Sequence, residues 1–252
     1  MPVHVRVERL VKKFGRVTAL AGNDGFEPSS PTAWRTRCEI QQHTTPVSRQ
    51  PFNIREWVHQ KFSGPEAKLF LELGAHNGST AAWLAQIPNA TIQVFEPDPR
   101  NQPPPQRNVV LHRKAIGDHN GQTSLLLSRY GWGHPWTHSS TIKQPFNHLL
   151  RYPVTFGESL QVELQTLDSF YEEQGLGIVD LLWADIEGAE GDMIRGGRQT
   201  LSRTRYLFTE FSDDELYKDQ VTLNEILAML PQFRVIEMWE DYVLLENQTL
   251  KD

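Results

Sequence analysis

Residues 69–97 read LFLELGAHNGSTAAWLAQIPNATIQVFEP, and this stretch decides the fold. An apolar run at 69–73 leads through Gly74 and Gly78 into a helical pattern, and a second apolar run occupies 91–96. A strand, a helix and a strand within about 30 residues form the pattern of a right-handed parallel crossover. The two glycines therefore follow the first strand, where a tight turn is needed and where open parallel sheets bind their ligands.

The rest of the chain continues this alternation of strands and helices, which is typical of a doubly wound α/β sheet. A leading amphipathic helix is predicted at 52–62, and residues 129–159 read as one long loop. A capping box of Thr222 with Glu225 predicts the last helix. The other predicted elements are strands at 108–112, 122–128, 178–185 and 206–211, a strand and helix in 162–175, helices at 189–201 and 222–230, and a terminal antiparallel hairpin at 233–246.

The loop after the first strand and the acid after the second indicate a nucleoside ligand. A dinucleotide fingerprint would place further glycines where His76 and Ser79 stand, so binding of a pyrophosphate is disfavoured. Glu96 ends the second strand, where a carboxylate can accept hydrogen bonds from both ribose hydroxyls. A nucleoside without a pyrophosphate fits best, and S-adenosylmethionine has this chemistry. The glycines alone do not decide, because any doubly wound fold needs one in its first turn.

The chain contains, in order, the segments LELGAHNGST, FEPDP, NVVLHRKAIGDHNGQTSLLL, the pair Ser139-Ser140, VELQTLDSF, VDLLWADIEGAEGDMIRGG and YLFTEF. Taken together, these segments resemble FkbM-type class I S-adenosylmethionine-dependent methyltransferases over about residues 67–246. The resemblance implies a seven-stranded, mostly parallel sheet with helices on both faces, S-adenosylmethionine as cofactor and methylation of a hydroxyl oxygen. The chain departs from the family at Trp183-Ala184-Asp185, where Lys-Ile-Asp or a similar triplet is usual.

Ligand geometry and this resemblance predict a set of cofactor-binding residues. Glu96 would hold the ribose, with Pro97 or Asp98 bordering the adenine, and Asp118 would accept the exocyclic amino group. Asp118 has an alternative as a turn residue, and Glu72 has one as an acid paired at its strand end. The full set is Glu72, Gly74, Ala75, His76, Gly78, Glu96, Pro97, Ala115, Ile116, Asp118 and Asp185.

Three acids are predicted to be catalytic because they follow buried strands at the ligand-binding edge of the sheet. Asp185 is the first candidate for the base or acceptor-orienting group, with Glu187 beside it and Glu210 after the next strand. Asp185 has an alternative as a cap of the helix starting near Ala189.

Histidine and tryptophan side chains extend these alternatives. His76, His134 and His138 are alternative bases, and Trp132 and Trp136 are candidate platforms for an acceptor. No spacing of His and acidic residues demands a metal, and none is predicted.

The charge and composition of the chain disfavour several other classes of protein. The 252-residue chain has net charge −6, but residues 1–66 hold ten Lys and Arg against six Asp and Glu, hence +4, while residues 67–252 hold 15 against 25, hence −10. The acidic body disfavours nucleic acid. A single Cys and no apolar run of membrane-spanning length predict a soluble cytoplasmic protein without a membrane partner.

The sequence thus predicts an N-terminal arm and linker over 1–51 and a methyltransferase domain over 52–252. The leading hypothesis is methylation of a hydroxyl on a small molecule or saccharide. A non-catalytic S-adenosylmethionine-binding or scaffolding protein is the alternative, motivated by the missing basic residue before Asp185. A nicotinamide-dependent oxidoreductase is the third hypothesis, disfavoured at His76 and Ser79. No oligomeric state is indicated.

Overall fold

The computed structural model describes residues 52–131 and 136–250. The predicted arm and linker over 1–51, together with Trp132 and His134, lie outside the described residues. None of the helices in the described ranges combines the length and the apolar character that a bilayer crossing requires.

Seventeen helices and strands follow one another along the described ranges. They are α1 (Ile54–Lys61), β1 (Lys68–Leu73), α2 (Ser79–Leu84), β2 (Ala90–Phe95), β3 (Val109–His112), β4 (Lys114–Ile116), β5 (Gly121–Tyr130), α3 (His148–Arg151), β6 (Val154–Gln165), α4 (Leu167–Glu173), β7 (Val179–Ala184), α5 (Glu190–Gly196), α6 (Arg198–Ser202), β8 (Thr204–Glu210), α7 (Leu223–Met229), β9 (Phe233–Met238) and β10 (Tyr242–Asn247).

The main sheet has seven strands in the order β3-β2-β1-β7-β8-β10-β9. The first five run parallel, and the last two form an antiparallel hairpin. Both the seven-stranded, mostly parallel sheet and the terminal hairpin were expected, and both are confirmed. The chain moves outward from β1 to β3 and then returns to place β7 on the other side of β1, so the strand order reverses between β1 and β7. Such a reversal opens a crevice at the carboxyl ends of the strands.

Apolar side chains cover both faces of this sheet. On one face α1 and α2 pack through Val58, Phe62 and Leu84, and on the other α4 to α7 pack through residues such as Phe170 and Ile226. Asn53 caps α1, and the expected capping box of Thr222 and Glu225 is present at α7. The buried strands β1, β2, β7 and β8 are thus held between two helical layers, as the sequence pattern predicts.

The stretch 129–159 was predicted as a loop, and that prediction is wrong at both ends. Strand β5 continues to Tyr130 and β6 starts at Val154, and the two pair antiparallel in a second, three-stranded sheet of order β4-β6-β5. The apolar pattern of these strands is weak in the sequence, because the second sheet buries only a small cluster built on Ala115, Leu125 and Leu164. Most of β6 is exposed, so its sequence carries little alternation of apolar and polar residues.

The helix predicted over 189–201 is divided into α5 and α6 at Gly197. A Cβ atom at this glycine would lie 2.8 Å from the Met193 carbonyl oxygen and 2.9 Å from Leu167 Cδ1. The chain therefore passes too close to its neighbours there for a side chain, and one helix ends as the next begins. The adjacent Gly196 and Gly197 are a turn signal in the sequence, so the break could have been predicted from it.

The glycines of the first turn are required by contacts within the protein. Gly74 and Gly78 have φ angles of 80° and 75°, in the left-handed region. A Cβ atom on Gly74 would lie 1.8 Å from the Asp185 carbonyl oxygen, and one on Gly78 would lie 2.7 Å from Pro103 Cβ. We expected these glycines to admit a ligand; in the structure they admit neighbouring parts of the chain.

Gly74→Ala is expected to lower the free energy of unfolding by about 3 kcal/mol, because it combines a left-handed φ with a backbone clash. Urea denaturation measures the change. Gly177→Ala is the matched control, since a Cβ atom at Gly177 meets nothing within 4 Å. Equal stability of the two variants would show that the close approach of Gly74 to Asp185 is not a constraint.

Candidate active site

A cavity lies at the carboxyl ends of β1, β2 and β7, and we call it the strand-end cavity. It brings together most of the side chains that the sequence predicts as cofactor-binding, from three strand ends and from β4. The predicted residues among its lining are Gly74, His76, Glu96, Pro97, Ala115, Ile116, Asp185 and Glu187.

Glu96 lies at the floor of this cavity and is 4% exposed. One carboxylate oxygen accepts a hydrogen bond from the backbone N–H of His76 at 2.6 Å, and the other accepts from the N–H of Asp98 at 2.8 Å. Burial raises the pKa of Glu96, while these bonds and one from Asn101 oppose the rise. A carboxylate has about four acceptor positions and these three bonds use three of them, so Glu96 can still accept from one ribose hydroxyl. This geometry fits a ribose.

Ala115 and Ile116 form an apolar wall of the cavity, and both are buried. They lie on β4, which starts two residues after β3 ends and pairs with β6. A flat aromatic base fits against such a wall. The position expected for an adenine is therefore apolar in the structure.

A charged network that the sequence analysis did not predict borders the same cavity. Asp98 is 1% exposed and accepts hydrogen bonds from the guanidinium of Arg100 and from the hydroxyl of Ser140. Arg100 also donates to the carbonyl oxygen of Ser128 on β5 at 3.1 Å. The Arg100 guanidinium and these hydrogen bonds hold the pKa of Asp98 below its usual value despite burial. The signal available in the sequence was the serine pair at 139–140.

Asp118 does not line the strand-end cavity. Its carboxylate is exposed and pairs with His119 at 2.7 Å and with Arg195 at 3.9 Å. The turn role that was its alternative describes this position better. Ala75 and Gly78 also lie outside the cavity lining, in the turn between β1 and α2.

Glu72 is buried behind the cavity, within β1. It accepts a hydrogen bond from the backbone of Ala81 in the first turn of α2, and its Oε2 atom has no hydrogen-bond partner in the structure. Burial raises the pKa of Glu72 to about 8. The N-terminus of α2 has no side-chain cap, because Gly78 stands at that position. Glu72 therefore contacts the N-terminus of α2. This position resembles the alternative predicted for Glu72, that of an acid paired at its strand end.

The DIEGAE segment forms the acidic side of the site. Asp185 is half-buried and its Oδ2 atom accepts a hydrogen bond from the Tyr242 hydroxyl at 2.9 Å. No side chain caps α5, and the Oε1 atom of Glu190 accepts from the backbone N–H of Ile186 in the preceding turn. Asp185 therefore does not cap this helix, and it lines the cavity.

Glu187 and Gly188 form a left-handed turn with φ angles of 54° and 93°. A Cβ atom on Gly188 would lie 2.5 Å from Cδ2 of Tyr217, and the hydroxyl of Tyr217 donates to Glu187 at 2.6 Å. The glycine therefore makes room for a ring that returns a hydrogen bond to the preceding glutamate. The contact of Tyr217 with Gly188 and its hydrogen bond to Glu187 were not predicted, because no motif near Tyr217 in the sequence indicates them.

A second cavity adjoins the first, and we call it the aromatic cavity. Its wall includes Tyr130, Trp136, Tyr152 and Tyr242, and the predicted acid Glu210. The rings of Tyr130 and Trp136 lie 4.5 Å apart between centroids. Five residues line both cavities and so mark their junction: Gly74, His76, His138, Asp185 and Glu187.

Two histidines stack at this junction. The ring centroids of His76 and His138 lie 3.7 Å apart, and His138 also lies 4.7 Å from the ring of Trp136. The side chain of Thr137 hydrogen-bonds to His76 at 2.8 Å. Burial and the neighbouring His138 lower the pKa of His76, so its ring is neutral at neutral pH.

Burial raises the pKa of every acid around the junction. The pKa values of Asp185, Glu187 and Glu210 all lie above the ordinary carboxyl range, and that of Glu190 is raised to about 7. Mutual repulsion adds to burial for Glu187 and Glu210. Within the described ranges, no group of three or more His, Cys, Asp and Glu side chains is arranged to hold a metal ion.

Trp183 occupies the position where the family that this sequence resembles usually has a basic residue. Its ring lies 4.0 Å from that of Phe208 and 5.8 Å from that of Trp83. It lines neither cavity. The departure from the family pattern thus falls in the aromatic packing beside the sheet and leaves the acids of the site in place.

The fold and the site together define a class of enzyme. A crossover sheet with a terminal antiparallel hairpin, a carboxylate that fits a ribose, an apolar wall for a base and no phosphate-binding glycine pattern are the features of a class I S-adenosylmethionine-dependent methyltransferase.

The chain belongs to the FkbM methyltransferase family, since the profile of the Methyltransferase FkbM domain matches residues 72–237. Its cofactor is S-adenosylmethionine. A similar protein is the 2-O-methyltransferase NoeI of Sinorhizobium fredii (strain NBRC 101917 / NGR234), 40% identical over 196 residues that cover 72% of this chain and 80% of the relative.

Solved structures of other methyltransferases are also similar. A putative O-methyltransferase from Klebsiella pneumoniae has a TM-score of 0.43 at 12% identity, with 96% of each chain covered. An rRNA methylase from Streptococcus thermophilus has a TM-score of 0.41 at 11% identity, with 80% of this chain and 98% of that chain covered.

Glu96→Ala is expected to weaken S-adenosylmethionine binding about 100-fold, because it removes both the ribose acceptor and the acceptor of two loop amides. Asp118→Ala is the control and should change the affinity by less than about twofold. Calorimetric titration of both proteins measures the difference. A large loss with Asp118→Ala would restore the adenine role to that residue.

Proposed function

We propose that this enzyme methylates a hydroxyl oxygen of a saccharide, at the 2-position of a sugar unit. Two findings support the proposal. The similar protein NoeI is a 2-O-methyltransferase. The aromatic cavity combines ring faces with carboxyl groups, which is the chemistry that binds the apolar faces and the hydroxyls of a sugar.

The observation that carries the proposal is the shared lining of the two cavities. With the cofactor in the strand-end cavity and the acceptor in the aromatic cavity, the junction is where donor and acceptor meet. When bound, S-adenosylmethionine supplies a methyl group already activated on a positively charged sulfur. The protein therefore has two tasks: to hold the acceptor oxygen in line and to take its proton.

We assign Asp185 as the base that takes the proton of the acceptor hydroxyl. Tyr242 and Glu210 both hydrogen-bond to its side chain and favour its ionised form, while burial raises its pKa. Glu210 has a pKa raised well above the ordinary value, so it holds the proton of this pair and Asp185 is the acceptor. The ring of Tyr242 stacks on Phe208 at 5.2 Å and 9°, which fixes the hydroxyl that orients Asp185.

Asp185→Asn is expected to reduce turnover by about 10²- to 10⁴-fold, because the amide accepts no proton at neutral pH. The cofactor affinity should change far less than turnover. Rates are measured with a sugar acceptor at saturating S-adenosylmethionine. Retention of more than half of the wild-type rate would move the base role to His138.

The pH dependence of the wild-type rate tests the same residue. The base must be ionised, so the rate should fall as the pH is lowered through the raised pKa of Asp185. The acid limb is expected above the ordinary aspartate value, and Tyr242→Phe, which removes one hydrogen bond to the ionised form, should move the limb to higher pH. An unmoved limb in this variant would contradict the assignment.

Trp136→Ala is expected to raise the acceptor KM about tenfold with little change in kcat, because the ring contributes binding area and no chemistry. Trp136→Phe should retain most of the affinity. Initial rates against acceptor concentration separate the two constants. An unchanged KM in the alanine variant would remove Trp136 from the acceptor site.

A further inference from the structure

The junction of the two cavities carries an excess of acidic groups. Asp185 and Glu187 line both cavities, and Glu210 lines the aromatic cavity beside them. Glu190 lies directly behind, 1% exposed. Four carboxyl groups thus meet in one small, partly buried region: Asp185 and Glu187 from the turn after β7, Glu190 from α5 and Glu210 from β8.

Few positive charges balance this region. Among the described residues that line the aromatic cavity, no Lys or Arg is present. Lys114, which lines the strand-end cavity, forms an ion pair with Glu163 at 2.7 Å. Arg151 forms longer ion pairs with Asp214 and Asp241.

The remaining cations and the neutral partners do not change this balance. Lys143 and Arg195 both pair with Asp192 on α5, and Arg100 pairs with Asp98. The hydroxyls of Tyr217 and Tyr242 each donate to one carboxyl group, and the pKa values of both tyrosines are raised far above the phenol range, so they stay neutral.

Several carboxyl groups buried together cannot all be ionised, because each charge opposes the next. The raised pKa values of Glu187, Glu190 and Glu210 reflect burial and this mutual repulsion, so the cluster retains protons at neutral pH. A cation placed against the cluster favours the ionised forms and displaces protons. A neutral ligand of the same shape leaves them in place.

We propose that the carboxyl cluster of Asp185, Glu187 and Glu210 is the counter-charge of the cofactor sulfonium, so that binding of S-adenosylmethionine releases protons and the neutral product S-adenosylhomocysteine binds more weakly. The inference rests on the methyltransferase function. It gives the acids a second task besides accepting the substrate proton: they discriminate cofactor from product by charge.

His76 lies at the same junction, and a proton on its ring would oppose a cationic ligand in the same way. Burial and His138 lower the pKa of His76, whereas Asp98 opposes this shift. The acids and the histidines therefore have to be separated by substitution.

Isothermal titration of the full-length protein at pH 7, in buffers of different ionisation enthalpy, measures the protons exchanged. For S-adenosylmethionine we expect release of a substantial fraction of one proton, up to about one, and affinity that rises with pH. For S-adenosylhomocysteine we expect almost no release and an affinity lower by about tenfold.

Glu187→Gln and Glu210→Gln are expected to halve the proton release or more and to weaken S-adenosylmethionine about tenfold, leaving S-adenosylhomocysteine within about twofold. Glu158→Gln is the matched control, because Glu158 is an exposed carboxylate on β6 paired with Arg129 and lines neither cavity. It should reproduce the wild-type values for both ligands.

Three results overturn the inference. They are equal affinity and equal proton release for the two ligands, unchanged release in both glutamine variants, and release that disappears in His138→Asn while both glutamine variants keep it. Failure of the proposed function looks different, since methyl transfer to a sugar would then be absent while both ligands still bind.

Discussion

The whole site depends on how closely two strand ends approach each other. The carbonyl oxygen of Leu73 accepts a hydrogen bond from the Asp185 N–H at 3.0 Å, and the Asp185 carbonyl oxygen fills the space that a Cβ atom on Gly74 would need. This contact fixes the glycine turn and the acidic turn as one unit at the reversal of the strand order. The cofactor loop, the candidate base and the junction of the two cavities are all placed by it, because each lies within a few residues of these strand ends.

Burial then determines the chemistry of the acids that this contact brings together. Charged groups in a low-dielectric region keep their protons unless a hydrogen-bond donor or a cation favours the ionised form. Asp185 has two such donors, Tyr242 and Glu210, whereas Glu187 has one, the Tyr217 hydroxyl, and neighbouring acids raise the pKa values of both Glu187 and Glu210 further. The cluster thus contains one ionised carboxylate, Asp185, beside protonated carboxyl groups. Desolvation keeps those groups protonated, and hydrogen-bond donors keep Asp185 ionised.

Much of this molecule could be predicted from sequence where burial imposes a pattern. The apolar strands of the main sheet, the turn at Gly74, the terminal hairpin and the acid at Glu96 all follow from local signals. The second sheet could not be predicted, because strands exposed on one face and irregular in composition show no alternation. The surface position of Asp118 was covered by its alternative as a turn residue. The hydrogen bond of Tyr217 to Glu187 was inaccessible, since it depends on which distant segments the fold brings together. For Glu72, the residue type and its strand were clear, but its partner in α2 was visible only in the structure.

The network of Asp98 and Arg100 with Ser128 and Ser140 has a consequence for how such enzymes diversify. It fastens the β5–β6 hairpin and its connecting segment, which supply most of the aromatic wall, to the edge of the cofactor cavity. The same connecting segment is also attached through Thr141, whose hydroxyl donates to the Glu187 carbonyl oxygen, and through the ion pair of Lys143 with Asp192. Exchange of the hairpin between related chains would have to keep the two serines in register with the aspartate and arginine, and would have to keep these further attachments as well.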